Sequence, residues 1–358
     1  MVWEIFVRLP AKEILRCRAV CRSWRGLISA ADFIVAHHRR QPSLPLVVFN
    51  STPPTTEDGL SISKHSRPVL GFHDYIGFQL HASCDGLLLL TPLDGRFSIC
   101  NPATHQCAPL PGLPNSTRIN ITALYLHCPS REYRVLYWEL GHQATYYIFM
   151  VGRRGSPRCI GVPSDTPTIE KAMLAAHTID PTNLAPPIKF RSCLHWEDAW
   201  VHHDAGIVVF NTVTESFRFM RRPAGATSFC TRLSDMEDSI GFSCFYDGRT
   251  VARIWVLQDY EREVWSFKYH VKFPVDSLCN LADTEHVVLS HEGDVLVYSK
   301  STRHMFQCDN KGKLLQEFRW KPWAVDIIGL GHCFKESLIE HDFFPRRVVG
   351  QDFFFQSL

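Results

Sequence analysis

One short pattern recurs along this chain and limits what it can fold into. Residues 98–111 read as an apolar strand, a turn over Asn101-x-x-Thr104, and a return strand running to Pro111. Residues 208–223 repeat that order with Asn211 and Thr214, residues 296–305 repeat it with Ser299 and Thr302, and residues 254–265 are a looser copy. Asn or Ser at the first turn position can bind backbone N–H groups ahead of it, and an apolar residue beyond the Thr sends the return strand back into a core. With weaker candidates near Asn50 and Gly152, the hairpins fall at intervals of roughly 40 to 60 residues, the spacing of propeller blades. A mainly β domain of five or six blades is expected. Unrelated hairpins in a β-sandwich would give similar irregular spacing, and that fold is the alternative.

The texture supporting this reading, short β-branched and aromatic runs broken by Gly, Pro, Asn and Asp, extends over residues 43–358. Its weakest stretch is 163–187, where residues 169–179 could form a helix inside a loop. With 45% apolar and 12% aromatic residues in a chain of 358, there is material for a folded core in a small module plus one large domain.

The first 42 residues differ. Ile14, Cys17, Val20, Cys21, Trp24, Leu27 and Ile28 recur at three- and four-residue steps, the period of one helical face. Pro10 suits a first helical turn, and Ser29 with Asp32 reads as a capping box opening another helix that ends before Pro42. Some forty residues of short helix bury too little surface to stand alone, so this segment should lean on something. It is also basic: residues 1–40 carry eight Lys or Arg against Glu4, Glu13 and Asp32, a net +5, leaving −3 for the remainder. An acidic partner, a solvated basic face, a helix hairpin packed on the next domain and a helix entering a DNA groove all fit that charge.

Residues 8–29, RLPAKEILRCRAVCRSWRGLIS, resemble the F-box of plant F-box proteins. Residues 84–90, CDGLLLL, followed by 99–104, ICNPAT, resemble the opening of the F-box-associated domain, a kelch- or propeller-like domain, and 254–257, IWVL, resembles its later signature strand. The resemblance implies an F-box over 1–42 and an F-box-associated domain over 43–358. It implies a three-helix module broken near residues 19–21 and docked on the Skp-type adaptor of an SCF ubiquitin ligase, with a cullin reached through that adaptor. The β domain would bind a target protein. Leu9, Pro10, Leu15, Val20, Cys21 and Trp24 match the motif's apolar positions, which divide between the module's own core and the adaptor contact. The family's F-box begins several residues earlier, with a Leu-Pro and acidic lead-in, so docking weaker than that of a full F-box by about tenfold or more is expected. A stand-alone propeller module with a vestigial F-box is the alternative.

Chemistry is not signalled. There is no G-x-S-x-G elbow, H-E-x-x-H, P-loop or G-x-G-x-x-G, so neither a catalytic site nor a cofactor is expected. His195, His202, His203 and Asp204 could form a metal cluster, but adjacent strand residues face opposite ways, and no metal is expected there. Cys17 and Cys21 read as a core pair. Thirteen cysteines without a C-x-x-C pair point to reduced, mostly buried thiols. No run approaches the ~18 apolar residues of a membrane span. A cytosolic or nuclear protein without nucleic-acid or membrane partners is expected. Trp196, Trp200, Trp255, Trp265, Trp320 and Trp323 are expected mainly as blade core.

Overall fold

The computed structural model describes residues 2–50, 59–62, 67–71, 78–92, 94–139, 145–153, 155–161, 186–197, 206–226, 231–236, 238–246, 250–273, 284–288, 293–299, 304–319, 326–328 and 332–345. Two compact units are formed, Met1–Leu126 with Glu132–Ile160 and His332–Leu358, and His127–Arg131 with Gly161–Gly331. The expected helix over 169–179, and Trp200, His202, His203, Asp204, Thr302, Trp320 and Trp323, lie outside the described residues.

Four helices open the chain: α1 (Val2–Phe6), α2 (Ala11–Cys17), α3 (Arg22–Ser29) and α4 (Ala31–Arg40). The break between α2 and α3 falls at residues 18–21, where Cys21 is extended and its Sγ accepts the Trp24 N–H at 3.4 Å. A thiol therefore does the work an Asn or Ser usually does at an N-cap. The capping box at Ser29 and Asp32 does not form. Ser29 stays inside α3, Ala30 is the N-cap of α4 without a side-chain bond, and Asp32 accepts instead from the N–H of Phe33. The module has four helical segments rather than three. Phe6, Val7, Ala11, Ile14, Ile28 and Phe33 form its core. Trp3 meets Phe33 edge-on at 5.1 Å, and Trp24 meets Phe6 at 4.8 Å.

The rest of the described chain is β. Five antiparallel sheets have four strands each in sequence order. The first holds Phe78–Cys84, Leu87–Pro92, Ser98–Asn101 and Gln106–Pro109; the second, Ile119–His127, Glu132–Glu139, Tyr146–Met150 and Arg158–Gly161. The third holds Ile188–Phe190, Cys193–Glu197, Ile207–Asn211 and Ser216–Met220; the fourth, Thr231–Asp235, Ile240–Tyr246, Val251–Asp259 and Val264–Lys272. The fifth holds Thr284–Val288, Val295–Ser299, His304–Cys308 and Leu314–Arg319. A meander of four strands is the propeller blade unit. Near the N-terminus Leu44–Asn50, Gly59–Ile62 and Arg67–Gly71 pair in order, and Cys333–Phe334 pairs with Leu44 and Pro45.

Leucines 87–90 are all fully buried, as expected of a strand covered on both faces, and Asp85 and Gly86, at φ 51° and 87°, make the tight two-residue turn leading into it. Trp196 and Trp255 are buried and Trp265 half-buried. The cysteine expectations are overturned: Cys17 is half-buried and Cys21 exposed, so they are no core pair, and of the nine described free thiols only Cys193, Cys244 and Cys308 are buried. Cys100 and Cys107 form a disulfide, because they sit directly opposite each other on neighbouring strands with Cα atoms 4.1 Å apart. Pairing register brings them together, and spacing alone could not show it.

Candidate docking surface and blade turns

The helical module divides the six motif positions in two. Leu9, Leu15 and Trp24 are half-buried against the module's own core, and Pro10, also half-buried, is the N-cap of α2. Val20 is 63% exposed, and Cys21 is exposed beside it. Val2, Ile5 and Val35 are exposed as well, and sequence reasoning missed all three. The signal available for the first two was their i, i+3 spacing on α1. Arg8, Lys12, Arg16, Arg22, Arg25, Arg39 and Arg40 of the same module are exposed too. A module exposing both apolar and basic side chains suits a protein partner that is acidic and partly apolar.

The blade turns share one geometry. Asn101 Oδ1 accepts the N–H groups of Ala103 and Thr104 at 3.1 and 3.4 Å, and His105 follows at φ 55°. Asn211 Oδ1 accepts from Val213 and Thr214 at 2.8 and 3.0 Å, and Glu215 follows at φ 54°. In the looser copy Asp259 Oδ1 accepts from Glu261 and Arg262 at 3.0 Å each, before Glu263 at φ 56°. Each opens the last hairpin of its sheet. Ser299 keeps the same strand register, pairing with His304 five residues on, but joins the second and third strands of its sheet. The five-residue register is thus used at two places in the blade.

Asn101 does a second task. It is fully buried, and its Nδ2 donates to the Ser337 carbonyl at 3.1 Å, whereas Asn211 is half-buried and its Oδ1 accepts the two turn bonds. Asn101→Ala is therefore expected to cost about 2–3 kcal/mol, because it also strands a buried carbonyl, and Asn211→Ala about 1 kcal/mol. Chemical denaturation of the two variants checks this order. Thr104 and Leu15, singled out from different parts of the sequence, line one groove of about 660 Å³ together with Arg18, Arg25, Gln106 and Leu338.

His195 is fully buried, donating through Nδ1 to the Ile188 carbonyl at 3.1 Å and accepting from the Tyr260 hydroxyl through Nε2 at 2.9 Å. It is a satisfied core histidine. Among the described residues no group of three or more His, Cys, Asp or Glu could hold a metal ion. Burial pushes the His195 pKa down to about 4, and burial does the same to His81. An unfolded histidine takes up its proton near pH 6.5 and these folded ones only near 4, so stability is full above 6.5 and falls as pH drops towards 4. By pH 5.5 each should have cost about 1 kcal/mol. Denaturation midpoints at pH 7.5 and 5.5 measure it; equal midpoints would contradict the assignment.

Short helices that expose apolar and basic side chains, joined to blade-type β sheets, define a class by architecture: a small helical module and a large β domain of four-stranded meanders. Comparison with known proteins makes the class specific. Residues 32–322 match the F-box associated beta propeller domain, and residues 1–33 match the F-box-like family. The chain belongs to the F-box-associated β-propeller family. Among its relatives in Arabidopsis thaliana, F-box protein At3g22700 is 34% identical over 113 residues, 28% of this chain and 32% of that protein. F-box protein At1g52495 is 24% identical over 289 residues, covering 74% of this chain and 66% of the relative, and F-box protein At1g30790 is 24% identical over 304 residues, covering 74% and 72%. The first two alignments thus span less than two thirds of those relatives' lengths. No helix among the described residues is long and apolar enough to cross a membrane.

Proposed function

We propose that this protein is the substrate-recognition subunit of an SCF-type ubiquitin ligase. Residues 1–42 dock on a Skp-type adaptor, which brings the cullin, and residues 43–358 bind a target protein. The chain itself performs no catalysis and works in the cytosol or nucleus. The observation that carries this reading is the adjacency of an F-box-like match over 1–33 and an F-box-associated propeller match over 32–322 in one chain. The exposed Val2, Ile5, Val20 and Val35, in a module that also exposes seven Lys or Arg side chains, support it, since an acidic adaptor could cover both kinds of group.

The test is co-purification of the full chain with a recombinant Skp-type adaptor, followed by calorimetry at two salt concentrations. A stable complex that weakens as salt rises is expected, since exposed charges are screened over about 8–10 Å. No complex at either salt would leave a stand-alone binding module.

A further inference from the structure

Residues 332–344, HCFKESLIEHDFF, contain a single two-residue strand, yet Phe334, Ser337, Leu338 and Phe344 are buried. Buried backbone outside regular structure has to find partners elsewhere. Leu46 N–H donates to the His332 carbonyl at 2.8 Å, Ser83 Oγ to that of Cys333 at 2.8 Å, and Asn101 Nδ2 to that of Ser337 at 3.1 Å. Gly86 lies underneath at φ +87°, where an added Cβ would stand 2.5 Å from the Ser337 Cβ and 2.9 Å from the Lys335 carbonyl. The segment is seated on the first four-stranded sheet by specific groups.

On its other side it completes the helices. Pro10 offers α2 no side-chain cap, and the Glu336 carboxylate accepts the Ala11 N–H at 2.6 Å from 325 residues away in sequence. An anion at that position suits both the unpaired N–H groups and the helix dipole. At the other end of the module Lys335 Nζ donates to the Arg39 carbonyl in the last turn of α4 at 3.1 Å, where helix carbonyls lack partners. His38 Nδ1 donates to the Glu336 carbonyl at 3.0 Å. Leu338 is 6% exposed and belongs to the same core as Phe6, Val7, Ala11, Ile14, Ile28 and Phe33. A module too small to bury its own core receives a core residue, an N-terminal cap and a C-terminal donor from three residues, Leu338, Glu336 and Lys335, near the other end of the sequence.

We propose that residues 332–344 are a structural part of the N-terminal docking module, so that the helices reach their docking-competent fold only when this segment is seated on the first sheet. Docking competence then depends on the chain having been synthesised through residue 344, and a chain lacking these residues presents no adaptor surface. The docking half of this statement rests on the function proposed above.

The experiment uses the full chain and three variants, Leu338→Asp, Glu336→Ala and Gly86→Val, the last obstructing the seat without altering any residue of the helices or the segment. Hydrogen exchange of peptides covering residues 11–29 reports the helices, peptides covering residues 193–220 report the folding of the rest, and calorimetry reports affinity for a Skp-type adaptor. At least tenfold faster exchange in 11–29 is expected in Leu338→Asp and Gly86→Val, with 193–220 still protected, and at least a tenfold weaker adaptor affinity. Glu336→Ala should show a smaller acceleration centred on residues 11–14, and it decides the matter if either other variant loses protection at 193–220. Unchanged exchange across 11–29 would overturn the proposal, as would helices that open while adaptor affinity stays the same. If the unaltered chain binds no adaptor, the docking reading fails, and the exchange data alone decide whether the segment holds the helices.

Discussion

Ile5→Asp is expected to weaken binding to a Skp-type adaptor by at least a hundredfold while leaving the fold intact. Ile5 is 55% exposed on α1 and Val20 is 63% exposed between α2 and α3, so neither contributes much to the module's own core. If they are the apolar anchors of an interface, a carboxylate there must lose its water without gaining a partner, at a cost of several kcal/mol. Since about 1.4 kcal/mol is one decade in affinity, two decades is a conservative expectation. Val20→Asp should act in the same direction. Calorimetry measures the affinity, and an unchanged thermal midpoint shows that folding is not the cause. Wild-type affinity in both variants would place the docking face elsewhere on the chain.

Phe33→Ala is expected to destabilise the helical module by about 3–5 kcal/mol, the usual cost of emptying a buried aromatic site. Phe33 is fully buried, lies against Trp3, and stacks on His37 with ring centres 6.0 Å apart. The residue that draws attention in the sequence is instead Trp24, for which the same 3–5 kcal/mol would apply if it were fully buried. Half-buried on Phe6, it should cost about 2 kcal/mol, because part of its surface stays in water in either state. Hydrogen exchange of the helical peptides in the two variants ranks them. A larger effect at Trp24 would mean that the core of the module is centred on α3 rather than on α4.

Each link legible from sequence acts over a few residues. Asn101 and Asn211 bind N–H groups two and three positions ahead, so their turns could be read from the letters, and Asp259 could have been ranked with them because its carboxylate accepts the same two bonds. Helical periodicity is local in the same sense, although it runs on through residues 18–21, where the break is implied by the family resemblance, and so is the change to strand texture after Pro42. What tertiary structure alone decided acts between positions far apart. The division of Leu9, Leu15 and Trp24 from Val20 depends on which helix faces meet, and the Cys100–Cys107 pair depends on strand register. The cap on α2 comes from Glu336 and the last wall of the helical core from Leu338. A repeat can be seen in a sequence because its parts lie close together along it; a contact closing some three hundred residues leaves no local trace, since only the folded backbone brings its two ends together.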